Sequence, residues 1–285
     1  MSSPQFEYYR ASSLDEALSL LSEHNGAKVL AGGHSLLPAM KLRVSDPGVL
    51  IDIGRVGDLS GISKSKGSVR IGALTTHAAI AASADVPAGL AEAAGMVGDP
   101  QVRNRGTIGG NVAHADPASD LPTVLAALGA TFHAKGSKGE RSISAEEFFT
   151  GLFETALAEG EILTAVEVPV EGKDTGSAYA KMASPGSRYA MVGAAATVTV
   201  NGGTCESASV AVGGLTPTAV RVSSVEAALV GNKLDADTIA AAAEAVQNDL
   251  GDDILGDMHA SADYRKAMAP VYVGRAIAAA AERAG

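Results

Sequence analysis

Two pairs of adjacent glycines lie among residues that could hold a ligand. One pair is in "AGGHS" at 31–35 and the other is in "TIGGN" at 107–111. Glycine lets the main chain turn tightly and lets a ligand approach backbone N–H groups with no Cβ in the way. Consecutive N–H groups in such turns form a concavity that binds anions. Ser35, Thr107 and Asn111 can add side-chain donors. Two such loops close together would suit a diphosphate, whereas each one alone could be a tight turn after a strand.

Other ligand and catalytic motifs are not found. The chain has no G-x-x-x-x-G-K-[ST] sequence, and "AGGHSLLPAMK" does not fit G-x-G-x-x-G, so P-loop and nicotinamide-dinucleotide sites are disfavoured. Pro38 also falls where a dinucleotide fold needs a helix interior. No Ser-His-Asp triad, H-E-x-x-H motif or functional carboxylate pair stands out, so we predict neither catalytic nor metal-ligating residues.

Composition limits the class of protein further. The 285 residues carry 22 basic and 32 acidic side chains, a net charge of −10, with no basic cluster. This balance argues against nucleic acid or an anionic membrane as a partner. Cys205 is the single cysteine, which excludes an intrachain disulfide and an iron–sulfur cluster held by this chain alone. No apolar stretch of about 18 residues indicates a membrane span, and "MSSPQFEYYR" lacks the regions of a signal peptide. We therefore expect a soluble cytoplasmic protein.

The elements that must position the glycine loops follow from periodicity and turn residues. Ser12 or Ser13 can cap a helix, and Gly26 ends it. The segment 104–120 shows no apolar periodicity that would indicate a helix or a strand. The elements expected here are a helix over 13–24, strands within 27–33, 49–56, 68–76 and 161–170, a helix over 77–86 and a hairpin around 135–139.

The second half of the chain predicts a separate unit. Its polar beginning, "EGKDTG" at 171–176, is rich in turn formers and marks a domain boundary. Asn201-Gly202-Gly203 is a strong hairpin signal between two strands. Pro270 should either kink or begin the last helix. The predicted elements are strands over 177–184, 189–200 and 207–215 and helices over 235–249 and 261–285. The whole pattern indicates an α+β protein in two lobes.

Two long motifs carry a resemblance to a known family. "VLAGGHSLLPAMKLR" and "RNRGTIGGNVAHADPASDLP", separated by "IGALTTH", resemble the signature of FAD-binding medium subunits of molybdenum hydroxylases. The pattern is most similar to the medium subunits of aerobic carbon monoxide dehydrogenases, and the flavin domain of xanthine dehydrogenases is a more distant match. "EILTAVEVP", "SRYAMVGAAA" and "SADYRKAMAPV" also follow in the family's order, so the resemblance covers nearly the whole chain.

The resemblance implies a fold and a domain division. An FAD-binding domain of the PCMH (vanillyl-alcohol-oxidase) type would cover residues 1–173, in subdomains of about 1–55 and 56–173. A smaller, CO dehydrogenase flavoprotein-like C-terminal domain would cover residues 174–285. This second domain would be α+β, with a three-stranded antiparallel sheet and helices.

The resemblance also implies a set of FAD-binding residues. The first glycine loop would wrap the diphosphate and the second would continue the cradle. The "EILT" strand would supply apolar contacts near the flavin. Asp120 would meet the ribose or adenine, and Lys181 would lie near the isoalloxazine. The full set is Ala31, Gly32, Gly33, His34, Ser35, Leu36, Ala73, Thr107, Gly109, Gly110, Asn111, Asp120, Ile162, Leu163 and Lys181.

Some side chains keep two interpretations. His34 stands where a histidine can hold flavin covalently in other flavoproteins, but the resemblance is to the non-covalent group. His77 and His114 are either polar loop residues or neighbours of the cofactor. Asp116 and Asp120 both fit turn caps, since Asp is common before Pro and near a helix start. Tyr189 either covers the flavin ring or belongs to the core.

The implied function is that of an FAD-binding electron-transfer subunit in a heterotrimeric molybdenum hydroxylase. Its partners would be a small subunit with [2Fe-2S] clusters and a large subunit with the molybdenum cofactor, in a dimer of heterotrimers. Electrons would pass through FAD to a quinone, NAD or oxygen. The substrate could be carbon monoxide, a heteroaromatic or a purine. The alternatives are a stand-alone FAD-dependent oxidoreductase acting on a small molecule, which needs a base that the sequence does not reveal, and a binding module without flavin.

Overall fold

The computed structural model describes residues 2–285, and its N-terminal part is a small parallel sheet covered by a helix. Ser13 accepts a hydrogen bond from the Glu16 N–H and so caps the first helix, as predicted. The strands pair in parallel, in the order β1-β3-β2. The elements are β1 (Glu7–Arg10), α1 (Leu14–Glu23), β2 (Lys28–Leu30), α2 (Leu36–Lys41) and β3 (Val49–Asp52).

The middle of the chain forms an antiparallel five-stranded sheet packed against helices. Its strand order is β4-β5-β10-β6-β7, and β8 with β9 makes a separate hairpin. Phe132 and Phe148 stack at the centre of the core, with ring centroids 4.0 Å apart. The elements are β4 (Ile62–Lys64), β5 (Ser68–Gly72), α3 (His77–Ala81), α4 (Ala88–Met96), α5 (Pro100–Arg103), α6 (Ile108–His114), α7 (Asp120–Ala127), β6 (Thr131–Gly136), β7 (Gly139–Ser144), α8 (Ala145–Phe148), β8 (Phe149–Gly151), β9 (Glu154–Thr155) and β10 (Ile162–Pro169).

The C-terminal part is an antiparallel sheet with helices, and it has four strands rather than the predicted three. The fourth strand has only two residues, which pair with Ala211 and Val212 and are too few to leave an alternating pattern. The hairpin at Asn201–Gly203 is confirmed. The elements are β11 (Thr175–Ala183), β12 (Ala190–Asn201), β13 (Thr204–Gly213), β14 (Val220–Arg221), α9 (Ser223–Leu229), α10 (Ala236–Glu244) and α11 (Ala262–Ala284).

Pro270 lies inside α11 and does not begin it. A proline has no N–H to bond the carbonyl four residues earlier, which here belongs to Lys266. That carbonyl instead accepts a hydrogen bond from Gln247 Nε2 at 2.9 Å. The side chain of Gln247 thus replaces the missing helical bond. Across residues 2–285, none of the helices combines the length and the apolar character needed to cross a membrane.

The segment 104–120 is more regular than its sequence indicates, because it holds α6 and the first residue of α7. The buried face of α6 consists of Ile108, Gly109 and Val112. One of these three residues is a glycine, so the apolar face leaves little periodicity to detect.

Candidate cofactor site

A cavity of about 280 Å³ lies where the strands of the parallel sheet end. Arg10, Leu30 and Asp52 are the last residues of β1, β2 and β3, and all three line it. In open sheets with parallel strands, ligands bind in the crevice outside these carboxyl ends. The remaining lining residues are Ala31, Gly32, Gly33, Leu37, Gly54, Arg55 and Arg105. The first glycine loop therefore forms one wall of the cavity.

The first glycine loop presents a row of unused donors. Among residues 2–285, no acceptor bonds the backbone N–H groups of Gly32, Gly33, His34 and Ser35. The loop is held from its carbonyl side, since Leu37 N–H donates to Gly33 at 3.2 Å. Gly33 has a φ of +76°, a conformation that favours glycine. Four consecutive free N–H groups beside a cavity are the donor set that an anionic diphosphate requires.

The second glycine pair lies in the first turn of α6, and its donors are occupied. The N–H groups of Ile108 and Gly109 donate to carbonyl oxygens in the segment 73–75, at 3.0 and 2.8 Å. The N–H of Gly110 donates to the Thr107 hydroxyl at 3.2 Å, so that Thr107 caps the helix. This motif consequently offers fewer free N–H groups to a ligand than its sequence predicts.

The two glycine loops lie side by side and pack closely. A Cβ on Gly32 would clash with the backbone of Arg105 and Gly106. A Cβ on Gly109 would lie 2.5 Å from the Ala73 Cβ and 2.8 Å from its carbonyl oxygen. Both glycines are thus required by contacts within the protein, and the contact of Gly32 fixes one loop against the other.

The side chains that follow the second loop are bonded to one another. Asn111 Oδ1 accepts from the Ser119 hydroxyl at 2.8 Å, and within residues 2–285 the Asn111 amide nitrogen makes no hydrogen bond. Asp116 Oδ1 accepts from the Ala118 N–H at 2.9 Å, which confirms its interpretation as a turn cap. Residues 117 and 118 are in turn held by the C-terminal part, because their carbonyls accept from the N–H groups of Gly214 and Ala190, both at 3.0 Å.

Tyr189 is 42% exposed, so it is not a core residue. Burial of its ring and the carboxylates of Asp116 and Asp120 raise the pKa of Tyr189, while the Ser35 hydroxyl opposes this shift. The phenol is thus near the Ser35 hydroxyl of the first glycine loop. This position fits the alternative in which Tyr189 contacts a ligand.

Asp120 and Lys181 form an ion pair that joins the two halves of the chain. Lys181 Nζ lies 2.8 Å from Asp120 Oδ2, and the two side chains are only 3% and 5% exposed. Tyr179 donates its hydroxyl to Asp120 Oδ1 at 2.7 Å, and Lys181 also donates to the Met96 carbonyl at 3.1 Å. Burial raises the pKa of Asp120, and the Lys181 charge opposes this shift. The two residues, which were predicted to lie near different parts of FAD, thus contact each other directly.

His77 is buried behind the second glycine loop, where it packs against Gly106. It is 2% exposed, and a Cβ on Gly106 would lie 2.9 Å from its Nε2. Its buried Nδ1 has no partner among residues 2–285. Burial, and to a lesser extent His34, lowers the pKa of His77 from 6.5 to about 4. His34 itself is exposed, and His114 stacks at a tilt on Phe153 with centroids 5.2 Å apart.

The remaining predicted residues lie in the interior or at the edge of the site. Ile162 and Leu163 are 3% and 5% exposed and belong to two different hydrophobic cores. Ala73 is buried, with its N–H bonded to Thr164 and its carbonyl to Gly109. Leu36 begins α2. Pro38 is tolerated in this helix because first-turn N–H groups have no intrahelical acceptor.

Three arginines of the cavity are absent from the predicted set: Arg10, Arg55 and Arg105. Arg105 immediately precedes the second glycine motif, and Arg55 follows the end of β3, so the sequence contains a signal for both as ligand-binding residues. It contains none for Arg10, because it does not predict β1. Throughout residues 2–285, no cluster of three or more His, Cys, Asp or Glu side chains could hold a metal ion.

Comparison with known proteins connects this site with a family. Residues 4–171 match the FAD binding domain in molybdopterin dehydrogenase, and residues 177–280 match the CO dehydrogenase flavoprotein C-terminal domain. The carbon monoxide dehydrogenase medium chain of Hydrogenophaga pseudoflava is 40% identical, over 97% of each chain. The 6-hydroxypseudooxynicotine dehydrogenase complex subunit alpha of Paenarthrobacter nicotinovorans is also 40% identical, over 100% of this chain and 97% of that one. A solved carbon monoxide dehydrogenase from Hydrogenophaga pseudoflava contains a chain that superposes with a TM-score of 0.94, at 41% identity and 99% coverage of both chains.

Proposed function

Because the chain belongs to the family of FAD-binding subunits of molybdopterin dehydrogenases, we propose that it binds FAD non-covalently and transfers electrons within a molybdenum hydroxylase complex. FAD, when bound, supplies the capacity to accept and release electrons, while the protein orients it. The chain's own residues then bind the cofactor, fix its position and exclude water from it.

The observation that carries this proposal is the row of four free N–H groups at Gly32–Ser35 beside the cavity. These groups would hold the diphosphate of FAD. The Ser35 hydroxyl and the Asn111 amide would add further donors. The second loop would support the cradle from behind rather than provide most of its hydrogen bonds, because its own N–H groups are engaged.

The flavin end would lie towards the C-terminal part. Tyr189, which is close to Ser35, is a partly exposed aromatic residue on this side. The buried Asp120–Lys181 pair fixes the start of α7 against β11, where the two halves of the chain meet. The exposed His34 would remain a neighbour of the cofactor and not a point of covalent attachment.

The chain would depend on partners for the remaining redox centres. It has one cysteine, and no cluster of metal-ligating side chains occurs among residues 2–285. A small iron–sulfur subunit would deliver electrons and a large molybdenum subunit would oxidise the substrate, in a dimer of heterotrimers. Relatives at the same 40% identity are named for carbon monoxide and for 6-hydroxypseudooxynicotine, so this chain's similarity does not identify the substrate.

The test is to purify a tagged copy of the chain from its own host and to analyse what it carries. We expect a flavin spectrum, release of FAD into the supernatant on acid precipitation, and two co-purifying proteins with molybdenum and iron. Flavin without partners would instead favour a stand-alone oxidoreductase. Absence of flavin from the purified material would overturn the proposal, and flavin retained in the precipitate would contradict non-covalent binding.

A further inference from the structure

Two arginines at the cavity have no carboxylate partner. Among residues 2–285, no Asp or Glu oxygen lies within 4.0 Å of the guanidinium of Arg55 or Arg105. Both side chains are exposed and both line the cavity next to Gly32 and Gly33. Elsewhere in the described residues, some arginines have an acidic partner, as Arg141, Arg221, Arg265 and Arg283 do, and others, such as Arg70, have none. What distinguishes Arg55 and Arg105 is their place: they are cations without a counter-ion that line the cavity beside the free N–H groups, in a protein with a net charge of −10.

The third arginine of the cavity is already neutralised. Arg10 Nε lies 3.7 Å from Asp52 Oδ2, and the Tyr8 hydroxyl donates to the same oxygen. Asp52 Oδ1 accepts from the Gly54 N–H at 2.7 Å. Three guanidinium groups and one carboxylate leave a net charge of +2 around the cavity, and this charge comes from Arg55 and Arg105.

We propose that Arg55 and Arg105 neutralise the diphosphate of the bound cofactor and make the site selective for FAD over flavins with fewer phosphate groups. This inference rests on the proposed function. The free N–H groups of the loop can bind phosphate oxygens, but they carry no net charge to balance them. A guanidinium provides both the charge and a planar fork of donors that matches a phosphate.

Exposure determines what the two arginines can contribute. Neither makes an ion pair that holds the fold together, so their loss should leave the free energy of unfolding nearly unchanged. Solvent and salt screen their attraction for the ligand. We therefore expect a measurable effect on affinity that weakens as the ionic strength rises.

The experiment titrates flavin-free protein, in the complex in which it is purified, with FAD, FMN and riboflavin, and follows flavin fluorescence. The variants are Arg55→Met, Arg105→Met and the double variant. Arg70→Met is the matched control, because Arg70 is exposed, lies outside the cavity and forms no ion pair within the described residues. Each single variant should raise the Kd for FAD about tenfold, and the double variant should raise it further. Riboflavin, which has no phosphate, should bind all proteins equally.

Salt provides a second readout. The Kd of the wild type for FAD should rise with ionic strength, and that of the double variant should rise less. Equal FAD affinity in the wild type and the double variant would overturn this inference but leave the proposed function standing. An equal loss of riboflavin affinity would also overturn it, since the arginines would then act without phosphate. Failure of the wild type to bind FAD would overturn both.

Discussion

The two glycine loops resemble each other in sequence but differ in how their backbone is used. In the loop at 31–36, four N–H groups are free, and Ala31, Gly32 and Gly33 line a cavity. In the motif at 107–111, three successive N–H groups are bonded to carbonyls of segment 73–75 and to the Thr107 hydroxyl. The first loop therefore has the properties of a binding element, and the second has those of a support.

The difference shows that a glycine pair can be required for two unrelated reasons. Gly33 provides a positive φ in a loop that exposes its donors. Gly109 provides space, because the backbone and Cβ of Ala73 fill the place of its side chain. Substitutions in and around the second loop should accordingly reduce stability, and substitutions in the first loop outside the packed Gly32 position should reduce affinity.

Among substitutions near the second glycine loop, Lys181→Met should reduce stability most. This change leaves the carboxylate of Asp120 buried and without its counter-ion, at the end of the second motif. We expect a loss of about 4 kcal/mol in the free energy of unfolding, measured by urea denaturation. The double variant Lys181→Met, Asp120→Asn should recover part of this loss. If the single variant is as stable as the wild type, the pair does not join the two halves.

Low pH should reduce the stability of the fold, because His77 behind the second loop is buried in its neutral form. Its pKa in the folded protein is about 4, below the ordinary 6.5, so the unfolded chain binds a proton over a range in which the folded protein does not. The wild type should therefore lose stability as the pH falls from 6.5 to 4, by about 3 kcal/mol. His77→Gln should remove this component of the pH dependence. Parallel stability curves for the two proteins would show that His77 does not titrate in this way.

A moderate effect is expected for Gly109→Ala. The added Cβ meets Ala73, so the backbone must shift, and we expect a loss of about 2 kcal/mol in thermal or urea denaturation. Gly48→Ala is the control, because nothing lies within 4 Å of the Cβ position of Gly48 and its φ is not positive. A Gly109 variant as stable as the control would mean that the contact relaxes without cost.

The smallest effects should distinguish the two hydroxyl groups of the loops. Thr107 caps α6, so Thr107→Ala should cost about 1 kcal/mol of stability. Ser35 makes no capping hydrogen bond in α2, so Ser35→Ala should leave stability within about 0.5 kcal/mol while it weakens FAD binding. Denaturation and FAD titration of both variants check this. The distinction between the loops fails if the two variants behave alike in both measurements.

Local signals predicted a large part of the fold. Ser13 as a cap and the apolar periodicity that follows it predict α1, and Asn201-Gly202-Gly203 predicts the hairpin, where both glycines have a positive φ. The two-residue β14 and the largely exposed β1 lack such signals. Strands of this kind are defined by the neighbours with which they pair, and these neighbours are distant in sequence.

The candidate site was predicted less completely than the fold. Its glycine loops are visible because they are continuous in sequence. The sequence does not show whether their N–H groups are free or hydrogen-bonded, since this depends on contacts with segment 73–75. Likewise, Asp120 and Lys181 are 61 residues apart, and only the folded chain shows that they pair. A motif indicates which residues can bind, but the tertiary contacts determine which of them are free to do so.

The ion pair between Asp120 and Lys181 also bears on how such a protein can be divided. A chain cut at residue 173 would keep both glycine loops, but Asp120 would lose its counter-ion Lys181 and its donor Tyr179. It would also deprive the carbonyls of Pro117 and Ala118 of their donors, Gly214 and Ala190. The cofactor-binding half is therefore not an independent module. In gene fusions and in engineered chimaeras, both halves have to be transferred together.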